Sequence, residues 1–235
     1  DQQITDDDLE TFTQYFGKLN DDPFFRPIQG RRYIAAIARH AEEKTAIFAE
    51  GWHSDWSFKE KPPIGTCLKG IIIPPHGGDT LFANQHLAYS NLPAELKEKI
   101  EHLTAIHSAV RAYSPDGLYG KPDPTANSAM QPIISDEARA TQPHPLVITH
   151  PANGRKAIYG CFGYTLGIAG MEQKEAEALL IELHAWQTSE ANVYRHQWRE
   201  NMLIMWDNRS VLHRATGGFE GHERLLHRTT IWPAN

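Results

Sequence analysis

Apolar positions recur along this chain with two periods. Leu9, Phe12, Phe16 and Leu19 follow Thr5-Asp6-Asp7-Asp8 at helical spacing. A capping hydroxyl and a first turn of acids start that helix, which should end by Asn20. Asn91-Leu92-Pro93 opens a second helix with proline in its first turn, and Leu96, Ile100 and Leu103 lie on its inner face. Residues 170–186 form the clearest amphipathic helix, with Ala176, Leu179, Leu180 and Leu183 on one face. Between the helices lie short runs that predict strands at 33–37, 46–48, 66–73, 80–84, 145–150, 156–159, 201–206 and 225–232. The pair 145–150 and 156–159 is joined by an Asn153-Gly154 turn, and residues 74–79 form another tight turn. Residues 114–142 are polar, with scattered Gly and Pro, and predict a long loop suited to a lid or binding segment. Many short strands with a few helices predict a mainly β protein with flanking helices (α+β), a β-sandwich or jelly roll with the helices packed outside. No internal repeat divides the chain, so residues 1–235 are expected to form one domain.

Composition narrows the class without naming a chemistry. The 40% hydrophobic and 22% charged content is that of an ordinary soluble protein. The net charge of -6, with both signs interspersed, gives no nucleic-acid-binding surface, and no apolar run approaches the ~20 residues needed to span a membrane. Cys67 and Cys161 are far apart and form no disulfide framework, so a reducing, cytoplasmic setting is expected. The chain opens Asp1-Gln2-Gln3 with neither a starting Met nor a signal-peptide pattern, and some N-terminal sequence is expected to be missing.

The chemistry begins at His53-Ser54-Asp55. On a strand, residues i and i+2 point to one face, so an imidazole and a carboxylate there would grip one cation. His213 offers a second imidazole near the other end. Two histidines and one carboxylate make the facial triad that holds non-haem Fe(II) with coordination positions open for substrate and oxygen. A 2-oxo dicarboxylic acid chelating that iron needs a cation deep in the pocket for its distal carboxylate. Arg224 and Arg228, four apart on the last predicted strand, share a face and are flanked by Leu225, Leu226, Thr229, Ile231 and Trp232. An H-x-D pair alone says little, since short His/Asp pairs arise often by chance.

Taken together, residues 52–58 (WHSDWSF), 62–84 (PPIGTCLKGIIIPPHGGDTLFAN), 144–160 (HPLVITHPANGRKAIYG), 206–216 (WDNRSVLHRAT) and 224–232 (RLLHRTTIW) resemble the Fe(II)/2-oxoglutarate-dependent taurine dioxygenase (TauD/TfdA) family, in family order and over about three quarters of the chain. The resemblance implies a double-stranded β-helix, or jelly roll, assembled as a dimer or tetramer. It implies Fe(II), 2-oxoglutarate and O2 as cofactor and co-substrates, with His53, Asp55 and His213 as the catalytic metal ligands. Thr80 and Arg224 match the residues that hold the distal carboxylate of 2-oxoglutarate. Arg228, placed with them, matches a second arginine nearer the prime substrate. The motif Trp206-Asp207-Asn208-Arg209 is expected to orient the distal histidine and close the core. The implied reaction is hydroxylation of a C–H bond with release of succinate and CO2, and the presence of Asp55 favours hydroxylation over halogenation.

The resemblance weakens at the substrate pocket. Where taurine dioxygenases carry His-Pro-x-Tyr, this chain has Asp22-Pro23-Phe24-Phe25, and where they place an Asn four residues before the first iron histidine it has Ala49. An ionised Asp22 would repel a sulfonate and Phe25 lacks a phenolic donor, so taurine is not expected. Asp22, Phe25 and Arg228 are the candidate substrate residues. Phe24, Phe25, Trp56 and Phe82 suggest an apolar pocket for a small alkyl or aryl molecule with one anionic group for Arg228. Desaturation or a natural-product step remains open within the family. Outside it stand a jelly roll with a merely structural metal and a metallohydrolase using His227 or His76 as base.

Overall fold

In the computed structural model, which describes residues 2–121 and 128–234, α1 (Asp6–Gln14) begins with a reciprocal capping box between Thr5 and Asp8. It ends before Asn20 because the chain leaves the helix to pair with the C-terminus. Lys18 N donates to the Trp232 carbonyl at 2.9 Å and Trp232 N donates back at 2.8 Å. An added Cβ at the intervening Gly17 would lie 2.4 Å from that carbonyl oxygen. Tertiary pairing overrides helical periodicity here.

The elements that follow are β1 (Ala35–Arg39), β2 (Gly65–Ile72), β3 (Thr80–Asn84), α2 (Gln85–Asn91), α3 (Ala94–Ile100), β4 (Thr104–Ser108), α4 (Val110–Tyr113), β5 (Thr141–Pro145), β6 (Val147–Thr149), β7 (Lys156–Ile158), β8 (Thr165–Ile168), α5 (Gln173–Gln187), β9 (Val193–His196), β10 (Leu203–Asp207), β11 (Val211–Ala215) and β12 (Arg224–Ile231). An antiparallel sheet of order β1-β12-β2-β10 forms one wall and a sheet of order β11-β3-β9 the other. One pocket is lined by Ile37, Leu68, Leu226 and Trp206 from the first sheet and by Thr80, His213 and Ala215 from the second, so the two walls face each other. This is the predicted mainly β architecture with flanking helices, a jelly roll. A side layer of α2, α3 and α5 packs on β4, β6, β7 and β8 through Leu96, Ile100, Leu146, Ile158, Leu179 and Leu183. Among the described residues no helix is long and apolar enough to cross a membrane.

Several predicted elements differ. Residues 46–48 are not a strand, and Ala49 takes a positive φ of 61° in a turn. Strands β4, β8, β9 and β11 and helix α2 were not foreseen. Of the predicted loop 114–142, residues 122–127 lie outside the described residues. The remainder carries a short 3-10 turn at Asp136–Arg139 and the first part of β5. It is tied to the body where Glu43 accepts from Ala129 N at 3.0 Å and where Ile133 N donates to Phe24 O at 2.7 Å.

Candidate active site

His53 and His213 are brought together by the backbone itself. They form an isolated antiparallel bridge at the edge of β11, each amide donating to the other's carbonyl at 3.0 and 2.8 Å. Asp55 does not follow on a strand, as the H-x-D spacing suggested. Residues 55–58 turn, with Trp56 in the left-handed region at φ 49°, a conformation uncommon for so bulky a residue. The turn still returns the carboxylate to the two rings: Asp55 Oδ1 lies 3.6 Å from His53 Nε2 and 3.7 Å from His213 Nε2. One ligand atom from each residue falls within 4.8 Å of the others.

Surrounding groups fix which atoms face inward. His53 Nδ1 is 2.8 Å from Gly51 O and donates to it, leaving Nε2 a lone pair. Asp55 Oδ2 accepts from Thr66 Oγ1 at 2.6 Å, which aims Oδ1 at the histidines. Burial would raise the Asp55 carboxyl, but the attraction of His213 when protonated, of Arg228 and of His53 when protonated, with the Thr66 hydrogen bond, outweighs it and holds the carboxyl below the usual range. His213 is driven down to about 3 by burial and by His53, so its imidazole is neutral. Its Nδ1 has no partner among the described residues. The ring is held by packing, 4.5 Å from Trp206 and 6.4 Å from Phe82 between centroids.

The two arginines lie on the inner face of β12 with Leu226 between them, as their spacing required. Arg224 is buried, its Nε has no partner, and no carboxylate lies within ion-pair distance among the described residues. The nearest acid acting on it, Asp79, pairs instead with Arg195 at 2.7 Å. Burial lowers the Arg224 pKa to about 10. Thr80 lines the same pocket; its Oγ1 accepts from Trp198 Nε1 at 2.9 Å and keeps its own proton to donate. The glycine pair before it lets the chain run against the arginine: at Gly78 (φ +65°) an added Cβ would sit 3.2 Å from Arg224 Cδ and Nε.

Arg228 is placed differently from expectation. Its Nη2 is paired with Asp22 Oδ2, so the arginine expected to meet a substrate anion already holds a carboxylate of its own chain. Burial works against its charge, but Asp22 and Asp55 outweigh that and raise its pKa. The guanidinium lies 4.7 Å from the Trp56 ring and 5.2 Å from that of Phe25. Asp22 and Phe25 do not line the pocket; they back Arg228 from behind. Of the four aromatics expected there, only Trp56 faces the cavity. Phe24 stacks on Tyr113 at 4.3 Å, Phe25 stacks on Trp56 and meets Phe48 edge-on, and Phe82 packs at a tilt against Trp206. The lining is completed by Phe48, Tyr113 and Tyr164, which continue into an outer opening of about 450 Å³ with Trp52, Leu118, Tyr119 and Phe162.

Thr66 is the residue that sequence reasoning missed. Asn208 Nδ2 donates to its Oγ1 at 3.1 Å, and Trp206 Nε1 donates to Asn208 Oδ1 at 2.8 Å. The Trp206-Asp207-Asn208 motif therefore packs one ligand and, through Thr66, aims another. The signal in the sequence was a hydroxyl beside the apolar residues Cys67 and Leu68 on β2. His227 faces away and bonds Asp6 at 2.8 Å, while His76 is exposed beside His222, so neither serves as a base at the triad.

Two histidines and one carboxylate converging in the mouth of a jelly roll are the donor set of the mononuclear non-haem iron oxygenases. A family model, taurine catabolism dioxygenase TauD, TfdA family, matches residues 1–230. The chain is 31% identical over 231 residues to an alkylsulfatase of Acinetobacter baylyi, an alignment spanning 98% of this chain and 70% of that one. It is 35% identical over 195 residues to the alpha-ketoglutarate-dependent 2,4-dichlorophenoxyacetate dioxygenase of Cupriavidus pinatubonensis, spanning 82% of this chain and 63% of that one. The crystal structure of a taurine dioxygenase from Burkholderia xenovorans superimposes with a TM-score of 0.77 at 27% identity, covering 99% of this chain and 74% of that one. The chain belongs to the TauD, TfdA family.

Proposed function

We propose that this protein is an Fe(II)- and 2-oxoglutarate-dependent dioxygenase that hydroxylates a C–H bond of a small alkyl or aryl substrate. The observation that carries the reading is Arg224, a buried guanidinium without a carboxylate partner among the described residues, lining one pocket with Thr80 and the triad. A buried charge of that kind is costly unless an anion meets it. The residues fit the implied metal and co-substrate. His53 Nε2, Asp55 Oδ1 and His213 Nε2 offer two imidazole nitrogens and one carboxylate oxygen, each residue with one ligand atom within 4.8 Å of the others, and the Arg224 guanidinium with the Thr80 hydroxyl suits a distal carboxylate. Fe(II) with 2-oxoglutarate and O2 supplies the oxidising power, and the co-substrate leaves as succinate and CO2.

The chain's own residues orient and shield. Thr66 holds Asp55, Gly51 O sets the His53 tautomer, and Trp206 wedges the His213 ring. Trp56, Tyr113 and Tyr164 keep the space beside the triad apolar and exclude bulk water from it. A structural zinc site fits less well, since such sites usually close with four ligands. Neither cysteine joins the triad, and burial raises both thiols, Cys67 to about 11. The test is anaerobic addition of Fe(II) and then 2-oxoglutarate, followed by visible absorption. A weak charge-transfer band, reduced in Arg224→Met, is the expected result. Folded, metal-loaded protein that never gives the band overturns the reading.

A further inference from the structure

We propose that Asp22 sets the substrate class of this site: it occupies Arg228 as a built-in anion, so the pocket takes a molecule whose end near the triad is uncharged and apolar. The proposal rests on the dioxygenase reading and narrows it.

Asp22 is a fully used carboxylate. Oδ1 accepts from the Phe24 and Phe25 amides at 2.9 and 3.0 Å, and Oδ2 holds Arg228 Nη2. The pair is nearly enclosed, with side-chain exposures of 6% for Arg228 and 11% for Asp22, so solvent screens it little. Asp22 also pins the turn that carries Phe25 beneath the guanidinium.

Charge balance gives the consequence. A divalent ion, dianionic 2-oxoglutarate, Asp55, Arg224 and Arg228 sum to one positive charge, which would welcome one substrate anion. With Asp22 the sum is zero. A sulfonate or carboxylate brought beside Arg228 would then leave an uncompensated negative charge in a buried pocket that already holds Asp55. What remains around the triad is Phe48, Ala49, Trp56, Tyr113 and Tyr164, which suits an aliphatic or aromatic group. The outer opening leaves room for an anionic group elsewhere on the substrate, because it carries Arg111, whose guanidinium donates, among the described residues, only to the Phe162 and Thr165 carbonyls.

The test uses the full chain loaded with Mn(II) and 2-oxoglutarate, titrated calorimetrically with 1-hexanesulfonate and with 1-hexanol. Asp22→Asn keeps the acceptor for the Phe24 and Phe25 amides and removes the charge. The expected result is that this variant gains at least ~tenfold in sulfonate affinity over wild type, with hexanol changed by less than about threefold. The gain should vanish when Arg228→Gln is added. An unchanged sulfonate affinity in folded Asp22→Asn would mean that Asp22 only pins its turn, and would overturn the proposal. So would wild-type sulfonate binding tighter than about 1 mM that is lost in Arg228→Gln. That wild-type comparison decides the matter even if neither Asp22→Asn nor Asp22→Ser folds. Binding of 2-oxoglutarate to the Mn(II) protein is recorded first, and its failure counts against the dioxygenase reading rather than against Asp22.

Discussion

Arg224→Met should make the protein more stable without 2-oxoglutarate and insensitive to it. Burial moves the Arg224 pKa from its ordinary value to about 10, which corresponds to about 3 kcal/mol spent keeping the guanidinium charged inside the fold. Below pH 10 that cost is constant, because arginine is charged in both folded and unfolded chains. It fades only as pH rises through 10 and the folded form sheds its proton. Methionine fills a similar unbranched volume without the charge. Against this gain stands the loss of the weak contact with the Phe219 ring at 5.9 Å, worth about 0.5–1 kcal/mol. The net expectation is stabilisation by about 1–3 kcal/mol. Wild type, by contrast, should gain about 2.7 kcal/mol from 2-oxoglutarate at a hundred times its Kd, and the variant almost nothing. Urea unfolding at pH 7.5 in Mn(II), with and without 2-oxoglutarate, measures both quantities, and adding the acid should raise the wild-type midpoint until it draws level with or passes that of the variant. A variant less stable than wild type without 2-oxoglutarate would mean that the buried charge is already satisfied by the fold. An equal response to 2-oxoglutarate would remove Arg224 as its anchor.

Two further predictions concern groups around the triad. Thr66→Val removes the proton that Asp55 Oδ2 accepts and leaves Asn208 Nδ2 with only its longer 3.4 Å bond to the Pro63 carbonyl among the described residues; it should weaken Mn(II) binding ~10–100-fold and cost about 1–3 kcal/mol of stability. Unchanged affinity, measured by electron paramagnetic resonance of free Mn(II), would show that Asp55 needs no such support. His107 is fully buried, with Nδ1 3.0 Å from Ser57 Oγ and Nε2 unpartnered, and burial beside His144 lowers its pKa from 6.5 to about 3. Between those values the unfolded chain binds a proton that the folded one does not, so stability falls with falling pH, by at most about 5 kcal/mol from this residue. His107→Gln should flatten the urea midpoint between pH 6.5 and 4, and an unaltered slope would contradict the assignment.

What was readable in the sequence is what depends on local spacing. Arg224 and Arg228 alternate with Leu225 and His227, so their common face followed from the strand period, and the Thr5–Asp8 box was visible as a short pattern. The triad's membership was readable, but its geometry was not: Asp55 reaches the histidines from a turn that needs a left-handed Trp56, which nothing in its residue type suggests. Strand β11 escaped notice because His213 and Arg214 interrupt its apolar residues, and both are placed by pairing with residues far away in the chain. Helix α2 did leave a signal, the Asn84 side chain that accepts from the His86 and Leu87 amides, but its QHLAYSN sequence has too little apolar periodicity to stand out. The role of Asp22 could be guessed only as repulsion of an anion. Its pairing with an arginine 206 residues away is a property of the folded chain.

The two arginines of β12 show how one strand serves two recognition tasks. They share a face, a burial and a neighbour in Leu226, yet only Arg228 is given a carboxylate by the protein. A buried cation left without a partner is a standing cost, so it persists where a ligand offsets it; one that is paired internally is insulated from ligands of opposite charge. Arg224 thus fits the invariant part of the chemistry, a co-substrate whose distal carboxylate is always present. On the proposal made for Asp22, the acid in the 22–25 turn takes up the charge of Arg228 and leaves the guanidinium packed against Trp56 and Phe25. If Asp22 sets the substrate class as proposed, that choice is made from a turn outside the sheet, apart from His53, Asp55, His213 and Arg224.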